Sequence, residues 1–284
     1  MRLFHTAQGK IRRAASMDRK TLLARIAEKS RHAFGYRENV RRLAYRLDRY
    51  SKSLYDAPYV ERSEAGPVNL EVKLDRQRRG GPFEPFIITL VNRAAVILVG
   101  EARGILEIGS GTGLFSWTAA EDARRTIVAS EFNQGAREWA ESHRSRPNIA
   151  YCARSLSSFG PREFDLVVAI EVIEHIDRFG PLLHELSRVA DSAIITTPNK
   201  LCDPFRSLDR TPVFSEHVRE WSAGEFLWVL RAFYASVDLF TIPDLPGQIK
   251  ALQSDAEYVP VVTRSTDLSC NEPMIAKCST PILW

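Results

Sequence analysis

Three glycines alternate with other residues directly after a short apolar run: Ile105-Leu106-Glu107-Ile108-Gly109-Ser110-Gly111-Thr112-Gly113-Leu114-Phe115-Ser116. The run reads as a buried strand and the glycines as a turn that opens a helix. Lacking Cβ atoms, they let the backbone take positive φ or come close to a ligand. Such a turn aims unpaired amide N–H groups at whatever lies above the strand end. The spacing is G-x-G-x-G, with the third glycine one residue earlier than in the G-x-G-x-x-G of dinucleotide folds. A strand passing straight into a helix beneath a ligand is therefore the element around which the fold must be built.

Strand-like and helical patterns alternate from this point onward. Apolar runs at 104–108, 125–131, 148–152, 165–170, 193–197 and 235–242 predict strands. Helices are predicted through Trp117 and Ala120, over Gln134–His143, from Pro181, and after Ser222, which forms a capping box with Glu225. A further, largely buried helix begins at Pro82–Pro85 and stops near Gly100. Repeated βα units predict a parallel sheet covered on both faces. Pro273–Cys278 reads as a terminal strand. Residues 243–272 contain three prolines and no clear period, so they are predicted to be a long lid or substrate loop.

The segment before this domain is different in charge. Residues 1–60 hold 15 Lys or Arg and five Asp or Glu, a net of +10 in a chain whose total is +4. Apolar residues near helical spacing at 19–34 and 38–55 predict two amphipathic helices. Residues 1–80 are thus read as a basic helical extension and 81–284 as the main domain. The apolar stripes would cap that domain or pair two copies as a homodimer. The basic face reads as solvated, with nucleic acid, phosphorylated glycans or an anionic membrane surface as alternatives. No apolar run approaches the length of a transmembrane segment. Cys152, Cys202, Cys270 and Cys278 form no C-x-x-C pair, which predicts free thiols and a cytoplasmic setting.

Open parallel sheets bind ligands at the carboxyl ends of their strands, where strand order reverses. Every unusual cluster falls at such an end. After the first strand come the glycines, and after the second Glu131, 20 residues beyond Gly111. A carboxylate there is placed to take two ribose hydroxyls. Arg154 and Ser155 follow the third strand. Glu171-Val172-Ile173-Glu174-His175 follow the fourth, and Thr197-Pro198-Asn199 the fifth.

On these residues, over roughly 100–242, the chain resembles the class I S-adenosyl-L-methionine (SAM)-dependent methyltransferases. Phe164–Val168 looks like their fourth-strand motif and Glu171–His175 like the E-V-I-E-H of many members. Thr197–Asn199 followed by His217-Val218-Arg219-Glu220-Trp221 is similar to a subgroup acting on small metabolites, lipids and sugars. The resemblance implies a Rossmann-like α/β fold: a seven-stranded, mostly parallel sheet with helices on both faces and an antiparallel last strand. It implies SAM as cofactor, with Glu107, Gly109, Ser110, Gly111 and Gly113 around its methionine and ribose portion. Glu131 would hold the ribose hydroxyls and Ser155 or Arg154 would sit beside the adenine, with Phe132 and Ile170 also in the cofactor site. The family usually carries an acid after the third strand. Arg154 cannot accept a hydrogen bond from the adenine amine, so Ser155 or backbone would read it. The usual P-G-G turn before the fifth strand is replaced by Ala190-Asp191-Ser192, which is expected to shorten a loop.

The implied reaction is displacement of a sulfonium methyl by a nucleophile on a small-molecule, glycan or lipid acceptor, O-methylation being favoured. His175 and His217 are the candidate bases, with Glu171 beside them. Glu171, Glu174 and His175 stand at i, i+3 and i+4, so one helical turn would bring them together. A metal-free site is the primary expectation. The alternative is Mg²⁺ or Mn²⁺ on Glu171, Glu174, His175 and His217, an arrangement similar to that of metal-dependent RNA 2′-O-methyltransferases. A catalytically silent SAM-fold interaction protein is the third reading.

Overall fold

The computed structural model describes residues 84–201, 217–265 and 273–282. The basic extension, its two helices, their dimer role, the boundary at residue 80, Cys202 and Cys270 lie outside the described residues.

Helix α1 (Glu84–Leu98) carries Pro85 in its first turn and is followed by Gly100 at φ 66°. Its Leu90, Val91, Ala94 and Ala95 are fully buried against Ile105, Ile127, Leu166 and Val168 of the sheet. Ile88 and Ile97 stay on its outer side, so the helix is covered on one face rather than all round. Strand β1 (Gly104–Ile108) is followed by α2 (Leu114–Ala119), β2 (Thr126–Ser130), α3 (Gln134–His143) and β3 (Ile149–Cys152). After β4 (Phe164–Ala169) come α4 (Phe179–Val189), β5 (Ala190–Thr197), α5 (Ala223–Leu230) and β6 (Tyr234–Thr241). The chain finishes with α6 (Leu245–Ser254), β7 (Thr263–Arg264) and β8 (Met274–Pro281).

These strands form one sheet in the order β3-β2-β1-β4-β5-β8-β6-β7. β1 lies between β2 and β4 and is parallel to both, with Ile105 opposite Ile127 and Leu166. Strand order reverses at β1, which puts the switch point between β1 and β4. Near-continuous burial of Ile105–Ile108 and Leu166–Ala169 is what a parallel strand covered on both faces requires. β8 is inserted antiparallel between β5 and β6, as the apolar, terminal Met274–Cys278 run predicts.

Two expectations are corrected. Among the described residues the sheet has eight strands rather than seven, because Thr263 and Arg264 pair with β6. Residues 243–272 are therefore not simply a long loop: they begin with α6, whose Ile249 and Leu252 enter the core beside the partly buried Leu245. Pro246 sits in the first turn of α6, where its missing N–H costs nothing, and the Asp244 side chain caps Gly247. One of the three prolines thus starts a helix instead of marking a loop. β5 also begins at Ala190, immediately after α4, so Ala190-Asp191-Ser192 belong to the strand and no loop intervenes. Among the described residues, no helix is long and apolar enough to cross a membrane, and Cys152 and Cys278 are free thiols.

Candidate active site

The glycine turn sits at the carboxyl end of β1, with Gly109, Gly111 and Gly113 at φ 62°, 53° and 73°. Gly113 starts α2 and is bounded from behind: a Cβ there would lie 2.5 Å from Tyr151 Oη. Gly111 is the opposite case, since a Cβ on it would meet nothing within 4 Å among the described residues. Its backbone borders open space on the ligand edge of the sheet. Ser110 N–H donates to the Ser130 carbonyl at 3.2 Å, tying the turn to β2. Ser110 Oγ is buried and has no hydrogen-bond partner among the described residues.

Glu131 stands one residue beyond β2. Its Oε2 accepts the Gly111 N–H at 2.7 Å and its Oε1 accepts the Asn133 N–H at 2.8 Å. Phe132, beside it, is 39% exposed, and Ile170 at the end of β4 is half-buried. Glu107 is placed beneath the turn rather than on its open side. It is buried and accepts both the N–H and the hydroxyl of Ser116. Burial pushes its carboxyl up to about 8, against the pull of the Ser116 hydrogen bonds.

The acid–histidine stretch follows β4, but not as one helical turn. Glu171 adopts φ 53°, a conformation that L-residues other than Asn or Asp rarely take, and only Ile173–His175 form a short 3₁₀ turn. The Glu171 carboxylate accepts the Thr196 hydroxyl at 2.8 Å, while Thr196 Oγ1 accepts the Glu171 N–H at 3.0 Å. Glu174 is fully buried, with Thr197 Oγ1 donating to its Oε2 at 3.0 Å. Burial holds its carboxyl well above the usual carboxylate range, and the charge of Glu171 adds to that. One ligand atom each of Glu174, His175 and His217 lie within 4.8 Å of one another. Glu171 is not part of that set, although its side chain hydrogen-bonds Glu174.

His217 reaches His175 from 42 positions away, their rings meeting edge-on with centroids 4.9 Å apart. Backbone pairing brings it there: the Val218 and Arg219 N–H groups donate to the Glu174 carbonyl at 2.8 and 3.1 Å. Asn199 bridges to Trp221, fastening the other end of the segment to the chain leaving β5. His217 Nδ1 lies 3.2 Å from Glu220 Oε1.

Residues 106–193, spanning β1 to β5, match the model of a family described as a methyltransferase domain. Over those residues the chain carries a methyltransferase domain. Solved structures agree on the fold. A SAM-dependent methyltransferase of Thermotoga maritima, described as a possible histamine N-methyltransferase, is 16% identical with a TM-score of 0.54, covering 74% of this chain and 97% of its own. A SAM-dependent methyltransferase of Archaeoglobus fulgidus is 17% identical with a TM-score of 0.52, covering 74% and 99%. No curated protein matches the sequence at a significant level.

The methyltransferase site fits SAM on its own terms: open backbone at Gly111, a buried Ser110 hydroxyl without a partner among the described residues, and a carboxylate at the edge of β2. At the end of β3, the Arg154 guanidinium lies 4.0 Å from the centre of the Phe159 ring and donates to the Ser158 carbonyl at 2.8 Å. Ser155 Oγ is 2.7 Å from Ser157 Oγ. Arg188 holds this turn from α4, donating to the carbonyls of Leu156 at 3.0 Å and Phe159 at 2.9 Å. Sequence reading missed Arg188, Thr196 and Arg144, which act across the fold on backbone or hydroxyl groups and leave no pattern. Thr197 and Glu220 stood within quoted motifs, but their partners Glu174 and His217 come only from the structure.

Proposed function

We propose that this methyltransferase transfers a methyl group from SAM to a hydroxyl of a small-molecule, glycan or lipid acceptor. The observation that supports this most is the His175–His217 pair at the same strand edge as the glycine turn. A hydroxyl nucleophile must lose its proton as it reacts, and a positioned imidazole contributes roughly 10²–10⁴-fold. SAM supplies an activated methyl group, so orientation does much of the remainder. Gly109, Ser110, Gly111 and Gly113 would bed its methionine and ribose portion, above a neutral Glu107. Glu131 would take the ribose hydroxyls, with Phe132, Arg154, Ser155 and Ile170 beside the adenine. Glu171, fixed by Thr196, would border the acceptor, and either histidine would take the proton. Supplying metabolite extracts with methyl-labelled SAM and identifying the labelled product tests this. A labelled methyl ether supports the reading, and label confined to nitrogen, sulfur or a carboxylate ester overturns it.

A second reading is favoured by the mutual approach of Glu174, His175 and His217. One carboxylate and two imidazoles suit Mn²⁺ better than Mg²⁺, and such a site would serve metal-assisted transfer to an RNA 2′-hydroxyl. Tight Mn²⁺ binding that His217→Ala abolishes, with salt-dependent RNA binding, would favour it. Absence of both would remove it.

A further inference from the structure

Arg144 closes α3 and reaches the glycine turn at Thr112. Its Nη1 donates to the Thr112 carbonyl at 3.0 Å and to Thr112 Oγ1 at 2.9 Å. Its own carbonyl accepts the Tyr151 hydroxyl at 2.9 Å, and that hydroxyl is the atom that blocks a Cβ at Gly113. The guanidinium is itself held, 5.1 Å from the centre of the Trp139 ring, and Trp139 stacks on His143 with ring centroids 4.4 Å apart. Thr112, Arg144, Tyr151 and Gly113 therefore form a closed chain behind the turn, while Gly111 is tied in front to Glu131. Two glycines at positive φ flank Thr112. A turn of that composition has many conformations open to it. Fixing it in advance lowers the ordering cost that a ligand must otherwise meet.

We propose that Arg144 is a positioning residue for the cofactor: it holds Thr112 from behind so that the Gly111–Gly113 backbone is preformed for the amino-acid end of SAM. The proposal rests on the cofactor placement given above. Arg188, which grips the turn after β3, is the corresponding brace at the adenine end and serves as an internal control.

The test compares two ligands by calorimetry: S-adenosylhomocysteine, which carries the amino-acid tail, and 5′-methylthioadenosine, which lacks it. Arg144→Ala is expected to weaken S-adenosylhomocysteine about 10- to 100-fold, in line with loss of charge-assisted hydrogen bonds. Methylthioadenosine binding should change several-fold less, so the affinity ratio between the two ligands falls. Arg144→Lys, which can still reach one Thr112 oxygen, should recover part of the ratio. Arg188→Ala should weaken both ligands alike and leave the ratio as in wild type. General loosening of the fold would also move both together, so an unchanged ratio in Arg144→Ala overturns the proposal. If that variant fails to fold, Thr112→Val removes one of the two acceptors and must lower the ratio in the same direction. Failure of the wild-type protein to bind either ligand would instead overturn the cofactor placement, and the proposal with it.

Discussion

Glu131 and Gly111, 20 residues apart, are joined by a 2.7 Å hydrogen bond from the glycine amide to the carboxylate. The same carboxylate accepts the Asn133 N–H at 2.8 Å, so its two oxygens are fixed at the mouth between β1 and β2. Glu131→Ala removes that fixed pair of acceptors. S-adenosylhomocysteine affinity should fall roughly 10- to 100-fold, the scale of hydrogen bonds to a charged group. Calorimetry reads this directly, and wild-type affinity in the variant would take Glu131 out of the ribose role.

Gly111 and Gly113 share the turn but predict different losses. Gly113→Ala introduces both a left-handed alanine and a clash with Tyr151 Oη, so it should lower stability by about 2–4 kcal/mol. Gly111→Ala adds only the backbone strain, about 1–2 kcal/mol, because its Cβ would meet no atom of the described residues within 4 Å. That space is where the ligand is proposed to lie, so Gly111→Ala should lose S-adenosylhomocysteine binding while remaining folded. Denaturant melts and calorimetry on the two variants separate these outcomes.

At Glu171 the usual preference for alanine over glycine should be reversed. Both Glu171→Ala and Glu171→Gly remove the acceptor of the Thr196 hydroxyl, so that loss cancels in the comparison. The left-handed backbone remains, and glycine takes it without the Cβ penalty. The glycine variant should be the more stable by about 1 kcal/mol. An alanine variant of equal or higher denaturant midpoint would show that no backbone strain resides there.

Glu107 gives the fold a pH dependence of known sign. Its folded pKa, about 8, lies above the ordinary 4.5, so the folded protein holds the proton more tightly than the unfolded chain. That contribution is fully present below about 4.5, declines as pH rises from there to about 8, and levels off above. Glu107→Gln does not titrate. The stability of this variant relative to wild type should therefore rise across that window, by about 1 kcal/mol or more per pH unit over its middle part and less near either end. Urea titrations at several pH values check this. A constant difference would mean that Glu107 is not buried as an acid.

Much of the site was legible because its parts obey local rules. Glycine spacing, the capping box at Ser222 and the apolar strands each depend on a few consecutive residues, and the structure realises them at or near the expected positions. The helix α6 was hidden by Pro246, which looks the same in sequence whether it ends a helix or begins one. The i, i+3, i+4 spacing of Glu171, Glu174 and His175 groups neighbours, but not by the helical rule behind it: the left-handed turn at Glu171 takes that residue out of a helix, and its side chain still meets Glu174.

By itself, the sequence determined that every chemically unusual residue would gather along one edge. In a parallel sheet of βα units all the carboxyl ends point the same way, so residues that follow strands converge whatever the details. Which of them meet was decided only by the tertiary structure. His217 joins His175 and Glu174 because two backbone amides of its segment bond to the Glu174 carbonyl. Arg144 reaches the glycine turn because Tyr151 and Trp139 fix its main chain and side chain. Such bonds link non-repeating backbone over long separations. They depend on where the packed core places each segment, and no period in the chain encodes that.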